Sequence, residues 1–230
     1  MQMSESVGVY LQSDRVSSPR LYRMSKRAFD LFVCLMALVF LLPILLLIAL
    51  LVALDSPGNV LYLQERVGKN GRVFRMVKFR TMSASYNSDA DRAYMAQYVT
   101  GRVTPTTDAS GTVTFKPAHS AHITRVGRFL RKTSLDELPQ IWNVLRGEMS
   151  VVGPRPNVTW EVEMYSDWHR QRLQVLPGIT GLAQVHGRSN ITFDNIVEYD
   201  LKYIRNQSFK LDMQILWWTL EQVIARRDVA

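Results

Sequence analysis

The chain reads as an α+β protein: an N-terminal membrane helix, broken at a proline and re-entrant, joined to a mostly helical cytoplasmic domain with short β-hairpins and interfacial amphipathic helices. Three observations carry this. An uncharged apolar run fills residues 31–54, β-rich runs flank an Asn-Gly turn after it, and helical apolar spacing returns over much of the remainder. The 230 residues suffice for one globular domain with an appendage. A formal charge of +8 favours anionic partners, be they nucleic acid, phosphorylated substrates or an acidic membrane face, without choosing among them. The single cysteine, Cys34, lies inside the apolar run, which excludes an intrachain disulfide scaffold.

Residues 1–22 are Ser-rich without periodicity and read as a flexible tail. Residues 23–55 contain LFVCLMALVFLLPILLLIALLVAL, too long for the apolar core of a signal peptide and lacking the polar face of a soluble core helix. Its length admits a single span. Pro43, however, removes a backbone hydrogen bond near its middle. Each half is then about twelve residues, roughly 18 Å of helix, too short to cross alone. Arg15, Arg20, Arg23, Lys26 and Arg27 precede the run, and Arg66, Lys69, Arg72, Arg75, Lys78 and Arg80 follow it. Basic flanks prefer the cytoplasm, and here both ends ask for that side. A helix that enters and leaves through one leaflet satisfies both and is preferred over the span.

Residues 56–230 form the second domain. Ser56-Pro57-Gly58 is a turn, and VLYLQERV and RVFRMVKFRTM around Gly68-Lys69-Asn70-Gly71 predict a hairpin. Residues 83–120 are polar and read as a surface insertion, either a lid or a partner surface, with a short helix at 90–98 and a small hairpin at 108–111. Helical patterns follow at 124–132, 137–146, 158–174, 193–205 and 213–227, separated by the GPRP and PGITG joints. In the fourth-residue spacing of Trp160, Met164 and Trp168, a core face and a lipid-facing face are equally compatible. The last pattern carries Asp212 as a cap, Arg226 and Arg227 at its end, and a stripe of Met213, Leu216, Trp217, Leu220, Val223 and Ile224. That stripe faces either the core or the lipid interface.

The chemistry points to TSLDELPQ. Asp136 and Glu137 stand at a helix start, with Asp136 as the N-cap or with Ser134 and Glu137 as a capping box; Pro139 is tolerated only in such a first turn. Acidic pairs at helix starts are commonplace, so the pair alone is weak. Its surroundings strengthen it: Lys78 and Arg80 end a strand, Arg131 and Lys132 precede the pair, Arg155 sits between Pro154 and Pro156, and Arg188 follows a Gly-rich loop. An arginine on a proline-stiffened loop has less entropy to lose on binding phosphate, and its planar fork matches phosphate oxygens. A carboxylate among such cations at a positive helix end is expected to stay ionised near neutral pH.

Together KRAFD (26–30), KFRTM (78–82), LRKTSLDELPQIWNVLRGEMSVVGPRP (130–156) and PGITGLAQVHGR (177–188) resemble the bacterial sugar transferases, the monotopic polyprenyl-phosphate hexose-1-phosphate transferases. The resemblance runs from Lys26 to the C-terminus and is to the short form, without additional preceding membrane helices. It implies transfer of a sugar 1-phosphate from a UDP-sugar to polyprenyl (undecaprenyl) phosphate at the cytoplasmic face of the bacterial inner membrane. UMP is released, and the product initiates exopolysaccharide, capsule or O-antigen synthesis. It further implies Asp136 as a nucleophile forming a covalent phospho-sugar intermediate, Mg²⁺ held by Asp136 and Glu137, and Lys78, Arg131, Arg155 and Arg188 on phosphate. Gln184 and the PGITG backbone line the donor pocket or form a rigid connector. Leu182 and His186 depart from the family pattern, where tryptophan and a small polar residue are common, which bears on sugar identity. The resemblance implies a bilayer and no nucleic acid as partners and leaves a homo-oligomer open. The alternative is a membrane-anchored basic binding module without catalysis. A helix-turn-helix version of it would place Pro139 inside a helix and turn two carboxylates toward phosphates they repel.

Overall fold

The computed structural model describes residues 20–83, 89–103, 106–107, 113–114, 122–187 and 190–225. The first element, α1 (Arg20–Asp55), stays helical through Pro43. It is long and apolar enough to cross a membrane, and only 11% of its most apolar stretch is buried, unlike a soluble core helix. One stripe nevertheless faces the rest of the protein. Cys34, Ala37 and Leu41 pack on the main core, while Leu45, Ile48 and Val52 pack on a second cluster with Phe79 and Leu130. That spacing of three and four residues is one helix face. The opposite face leaves Phe32, Leu35, Val39, Phe40, Leu46, Leu47 and Leu50 exposed.

Polar contacts fix both ends of α1 to the same domain. Near its start, Arg27 donates to the carbonyls of Val144 and Leu145, and Asp30 accepts from the Ser150 hydroxyl at 2.7 Å and the Val151 amide at 3.2 Å. At its end, Asp55 accepts from the Val126 amide, and Arg80 donates to the carbonyls of Ser56 and Pro57. The final carbonyls of a helix lack internal partners, so Arg80 acts as a cap for the turn leaving the helix.

The hairpin forms as expected from β1 (Leu61–Val67) and β2 (Val73–Phe79), paired from Leu61–Phe79 to Val67–Val73. Its connection is longer than a two-residue Asn-Gly turn; a 3₁₀ turn at Lys69–Gly71 places Asn70 and Gly71 in the left-handed region. Within the insertion, α2 (Asp89–Val99) buries Tyr98 and Val99, and the Tyr98 hydroxyl donates to the Ile191 carbonyl at 2.7 Å. The short pair β3 (Thr106–Thr107) and β4 (Val113–Thr114) brackets the expected 108–111 turn, which lies outside the described residues.

Next come α3 (Arg125–Thr133), a 3₁₀ turn at Leu135–Gln140, α4 (Ile141–Leu145) and β5 (Ser150–Val152). The expected single helix over 158–174 is instead α5 (Thr159–Glu163), α6 (Asp167–Arg170) and a 3₁₀ turn at Gln171–Gln174. The break falls where Ser166 and His169 cap each other reciprocally, starting a new helix two residues after Met164. The chain closes with β6 (Gly178–Thr180), α7 (Leu182–His186), α8 (Phe193–Arg205) and α9 (Phe209–Ala225).

The last helix corrects two expectations. It starts before Asp212, with the Ser208 hydroxyl accepting from the Leu211 amide. Asp212 is instead a buried hub, accepting from Tyr22, Lys26 and Tyr203. The expected stripe is also split: Ile215 is fully buried and Leu216 and Trp218 pack inward, whereas Trp217, Leu220, Val223 and Ile224 are exposed. Arg226 and Arg227 lie outside the described residues.

Candidate active site

The 3₁₀ turn carrying Asp136 and Glu137 begins at Ser134, whose φ of 56° ends α3 and redirects the chain. Ser134 occupies the cap position without a side-chain bond, so the capping-box alternative does not form, and Asp136 lies inside the first turn rather than at the cap. Pro139 lies inside this turn and, having no amide hydrogen, cannot donate the i→i−3 bond to the Asp136 carbonyl. The turn packs across β2. Asn143, fully buried on α4, locks this arrangement: its Oδ1 accepts from the Val77 amide, and its Nδ2 donates to the Arg75 carbonyl and to Glu148. An amide side chain thus stands in for a neighbouring strand and sets Lys78, on β2, beside the acidic turn.

Arg155 arrives from the other side on the GPRP loop, and both of its Nη atoms donate to Glu137, at 3.2 and 2.5 Å. Three donors clamp the loop. Arg172 donates to the Arg155 carbonyl, Arg66 to the Pro156 carbonyl, and the Val67 amide to the Asn157 carbonyl. Arg172 is itself buried, held by Asp200 at 2.5 Å, Asn157 and Tyr165. Beneath the loop, β5 and β6 run parallel, and a Cβ on Gly178 would stand 2.1 Å from the Gly153 amide nitrogen. Glycine at both positions lets the GPRP and PGITG backbones touch.

Lys78, Arg131 and Arg155 all lower the pKa of Asp136 by their charge, which places them around it. Arg131 donates its Nε to Thr81, and Lys78 lies 5.4 Å over the Tyr62 ring. Gln184 is not with them: its amide donates to the Ile179 carbonyl and braces the PGITG segment, which favours the connector reading of that joint. Arg188 lies outside the described residues. Arg80, which follows Lys78 at the end of the same strand, serves the end of α1.

The two carboxylates are not equivalent. Glu137 is engaged by Arg155, whereas the Asp136 carboxylate accepts no hydrogen bond among the described residues. Burial and then Glu137 push Asp136 up to about 6, against Lys78, Arg155 and Arg131, so its helix-start and cationic setting does not hold it low. It is still mostly ionised at pH 7. Burial first, then Arg66 and Arg155, bring Lys78 down to about 8.

Magnesium binds through one or two carboxylates plus substrate phosphates and retained waters. Asp136 suits that donor set, whereas Glu137 is bonded to Arg155; no group of three or more His, Cys, Asp or Glu gathers for a metal among the described residues. The Asp136 carboxylate therefore fits an ion whose remaining ligands come from a phosphorylated substrate and water, and Glu137 can join it only on release from Arg155.

Nothing in the sequence singles out Asn143, Asn157, Arg172 and Asp200, and Arg66 stands out there only as a basic flank of the apolar run. Isolated polar residues in apolar patterns carry no periodic signal, although Arg172 in a helical stretch just before PGITG offered a hint.

The geometry defines a class: a membrane-associated protein that sets one unpaired carboxylate between converging cations. The chain belongs to the bacterial sugar transferase family, whose profile matches residues 21–226. It is 40% identical over 208 residues to the UDP-galactose-lipid carrier transferase of Erwinia amylovora, covering 90% of this chain and 42% of that protein. The undecaprenyl-phosphate galactose phosphotransferase of Salmonella typhimurium is 39% identical, with 90% and 42% covered. The exopolysaccharide production protein ExoY of Rhizobium meliloti is 38% identical over 204 residues, 89% of this chain and 87% of its own. The chain thus spans about two-fifths of the first two relatives and most of the third.

Proposed function

We propose that the protein transfers a sugar 1-phosphate from a UDP-sugar to polyprenyl phosphate, most simply undecaprenyl phosphate, initiating exopolysaccharide assembly at the cytoplasmic face of the inner membrane. The observation that carries this is the unpaired Asp136 carboxylate set among Lys78, Arg131 and Arg155. The names of family relatives, which act on lipid carriers and undecaprenyl phosphate, supply the substrate class.

In the first half-reaction an Asp136 oxygen attacks the phosphorus bonded to the sugar. The bond from that phosphorus to the UMP oxygen breaks, UMP leaves with the electron pair, and an aspartyl phospho-sugar forms. In the second, a phosphate oxygen of the lipid attacks the same phosphorus, and the acyl-phosphate bond breaks to restore Asp136. Both nucleophiles are anions, so neither step needs a base; what each needs is neutralisation of like charge. Lys78, Arg131 and Arg155 supply fixed positive charge, and Arg155, on a loop clamped at the carbonyls of Arg155, Pro156 and Asn157, pays little entropy to do so. Bound Mg²⁺, held by Asp136 and Glu137, would add further neutralisation of phosphate charge.

The re-entrant arrangement of α1 belongs to the same reading. Its two ends are tied to one domain, at Val144–Ser150 and at Val126, while the middle presents bare apolar side chains. A helix crossing to the far side would carry one of those ends away from its partners. The exposed face of α9, with Phe209 stacked edge-on against Phe29 at 5.1 Å, continues that apolar surface as an interfacial element.

The test is UMP release by purified protein in nanodiscs with Mg²⁺, polyprenyl phosphate and a panel of UDP-sugars, beside Asp136→Asn. Lipid-dependent release lost in the variant is expected. Release that survives the substitution rules out Asp136 as nucleophile, and none from any donor rules out the reaction.

A further inference from the structure

On β1, Arg66 shares a ribbon face with Lys78: Tyr62 pairs with Lys78, and Arg66 lies two alternations further along the same strand. Its Nη1 donates to the Pro156 carbonyl at 3.0 Å and its Nη2 to Gln64 at 2.6 Å, but its buried Nε has no partner. Lys78 likewise reaches no oxygen among the described residues and rests over the Tyr62 ring. One buried donor without an acceptor, the Arg66 Nε, and one lysine amine without a protein oxygen therefore lie on one face, adjoining the loop that presents Arg155. Desolvating an N–H without an acceptor is costly, and bracing Pro156 does not require it, since Nη1 alone does that.

The facing carboxylates do not meet this demand. Glu137 is held by Arg155, Glu161 is hydrogen-bonded by Asn157, and Asp136 forms no hydrogen bond to either donor. Arg66 and Arg155 both oppose the charge on Lys78, so three cations converge on one place. A cluster of that kind is satisfied by an anion carrying several oxygens.

We propose that Arg66 is a further phosphate-binding residue of this site, taking an oxygen of the donor's diphosphate through Nε beside Lys78 and Arg155. This rests on the nucleotide-sugar reading above. Arg66 then has two tasks on one side chain: Nη1 holds the loop of Arg155, and Nε meets the ligand that Arg155 also meets.

The test measures binding rather than turnover. Full-length Asp136→Asn protein in nanodiscs is titrated calorimetrically with inorganic pyrophosphate and with UDP, each with Mg²⁺. Adding Arg66→Gln is expected to weaken both by about tenfold or more, the loss of one charge-assisted hydrogen bond. Arg66→Lys keeps the charge that attracts phosphate but not the fork that spans loop and ligand, and is expected to bind more tightly than Arg66→Gln. Parental affinity in Arg66→Gln overturns the proposal, and so does Arg66→Lys as weak as Arg66→Gln, which would leave only the brace. If Arg66→Gln fails to fold, Arg66→Lys decides alone: near-parental pyrophosphate binding supports a phosphate contact, and lost binding refutes it. A parent that binds neither probe, with no UMP released by the wild type, instead overturns the nucleotide-sugar reading and this inference with it.

Discussion

Asp136→Asn is expected to abolish transfer and to stabilise the protein. Burial and the neighbouring Glu137 raise the folded-state value of Asp136 from 3.8 to about 6. A shift of about two units corresponds to roughly 3 kcal/mol between its charged and neutral forms. The sign follows from linkage: the folded state holds this proton more tightly than the unfolded chain, so stability falls as pH rises from about 4 to about 6 and the full cost is present above that. Partial solvent access reduces the figure, leaving about 1–3 kcal/mol. Asparagine matches the protonated side chain in size and never carries the charge. Urea denaturation in detergent, followed by tryptophan fluorescence, should show the variant more stable at pH 7.5, with the gain shrinking toward pH 4.5. A variant equally or less stable at pH 7.5, or a gain that does not shrink on acidification, refutes the view that this carboxylate is held charged against its surroundings.

Donor kcat/KM should rise with pH as Asp136 ionises near 6 and fall above about 8 as Lys78 loses its proton; Lys78→Arg should abolish the alkaline fall, and a limb that persists in that variant excludes Lys78 as its source. Arg172→Met leaves Asp200 buried without its cation, so a loss of about 3–5 kcal/mol is expected in chemical denaturation, largely recovered by adding Asp200→Asn; no recovery would mean the pair does not act as a unit. Ser25→Cys and Asn59→Cys, both exposed and flanking the apolar run, should both resist a membrane-impermeant maleimide in intact cells and react after permeabilisation. One reactive flank in intact cells would establish a span.

Elements governed by local rules were legible. The hairpin, α2, α3 and α8 follow from turn residues and apolar spacing, and α8 ends at the expected Arg205. The apolar run, the acidic pair and the proline-flanked Arg155 were visible because each is a contiguous, chemically unusual string. The 158–174 stretch was misread because its helical spacing outweighed a cap at Ser166 whose partner is a histidine rather than the usual Glu or Gln.

What the string of residues could not convey was which cations converge. Lys78, Arg131 and Arg155 were chosen for their neighbours in sequence, yet they meet at Asp136 because Asn143 pins β2 to the acidic turn and Arg172 clamps the GPRP loop. Gln184 and Arg80 belong to equally distinctive motifs, yet Gln184 donates to the Ile179 carbonyl and Arg80 to the turn after α1. Chemical type and local conformation are written in consecutive residues, because they depend on side-chain identity and on backbone sterics a few residues apart. The pairing of Arg155 with Glu137, and the raised pKa that burial gives Asp136, arise from contacts between segments distant in the chain, where close packing sets the partner and the dielectric.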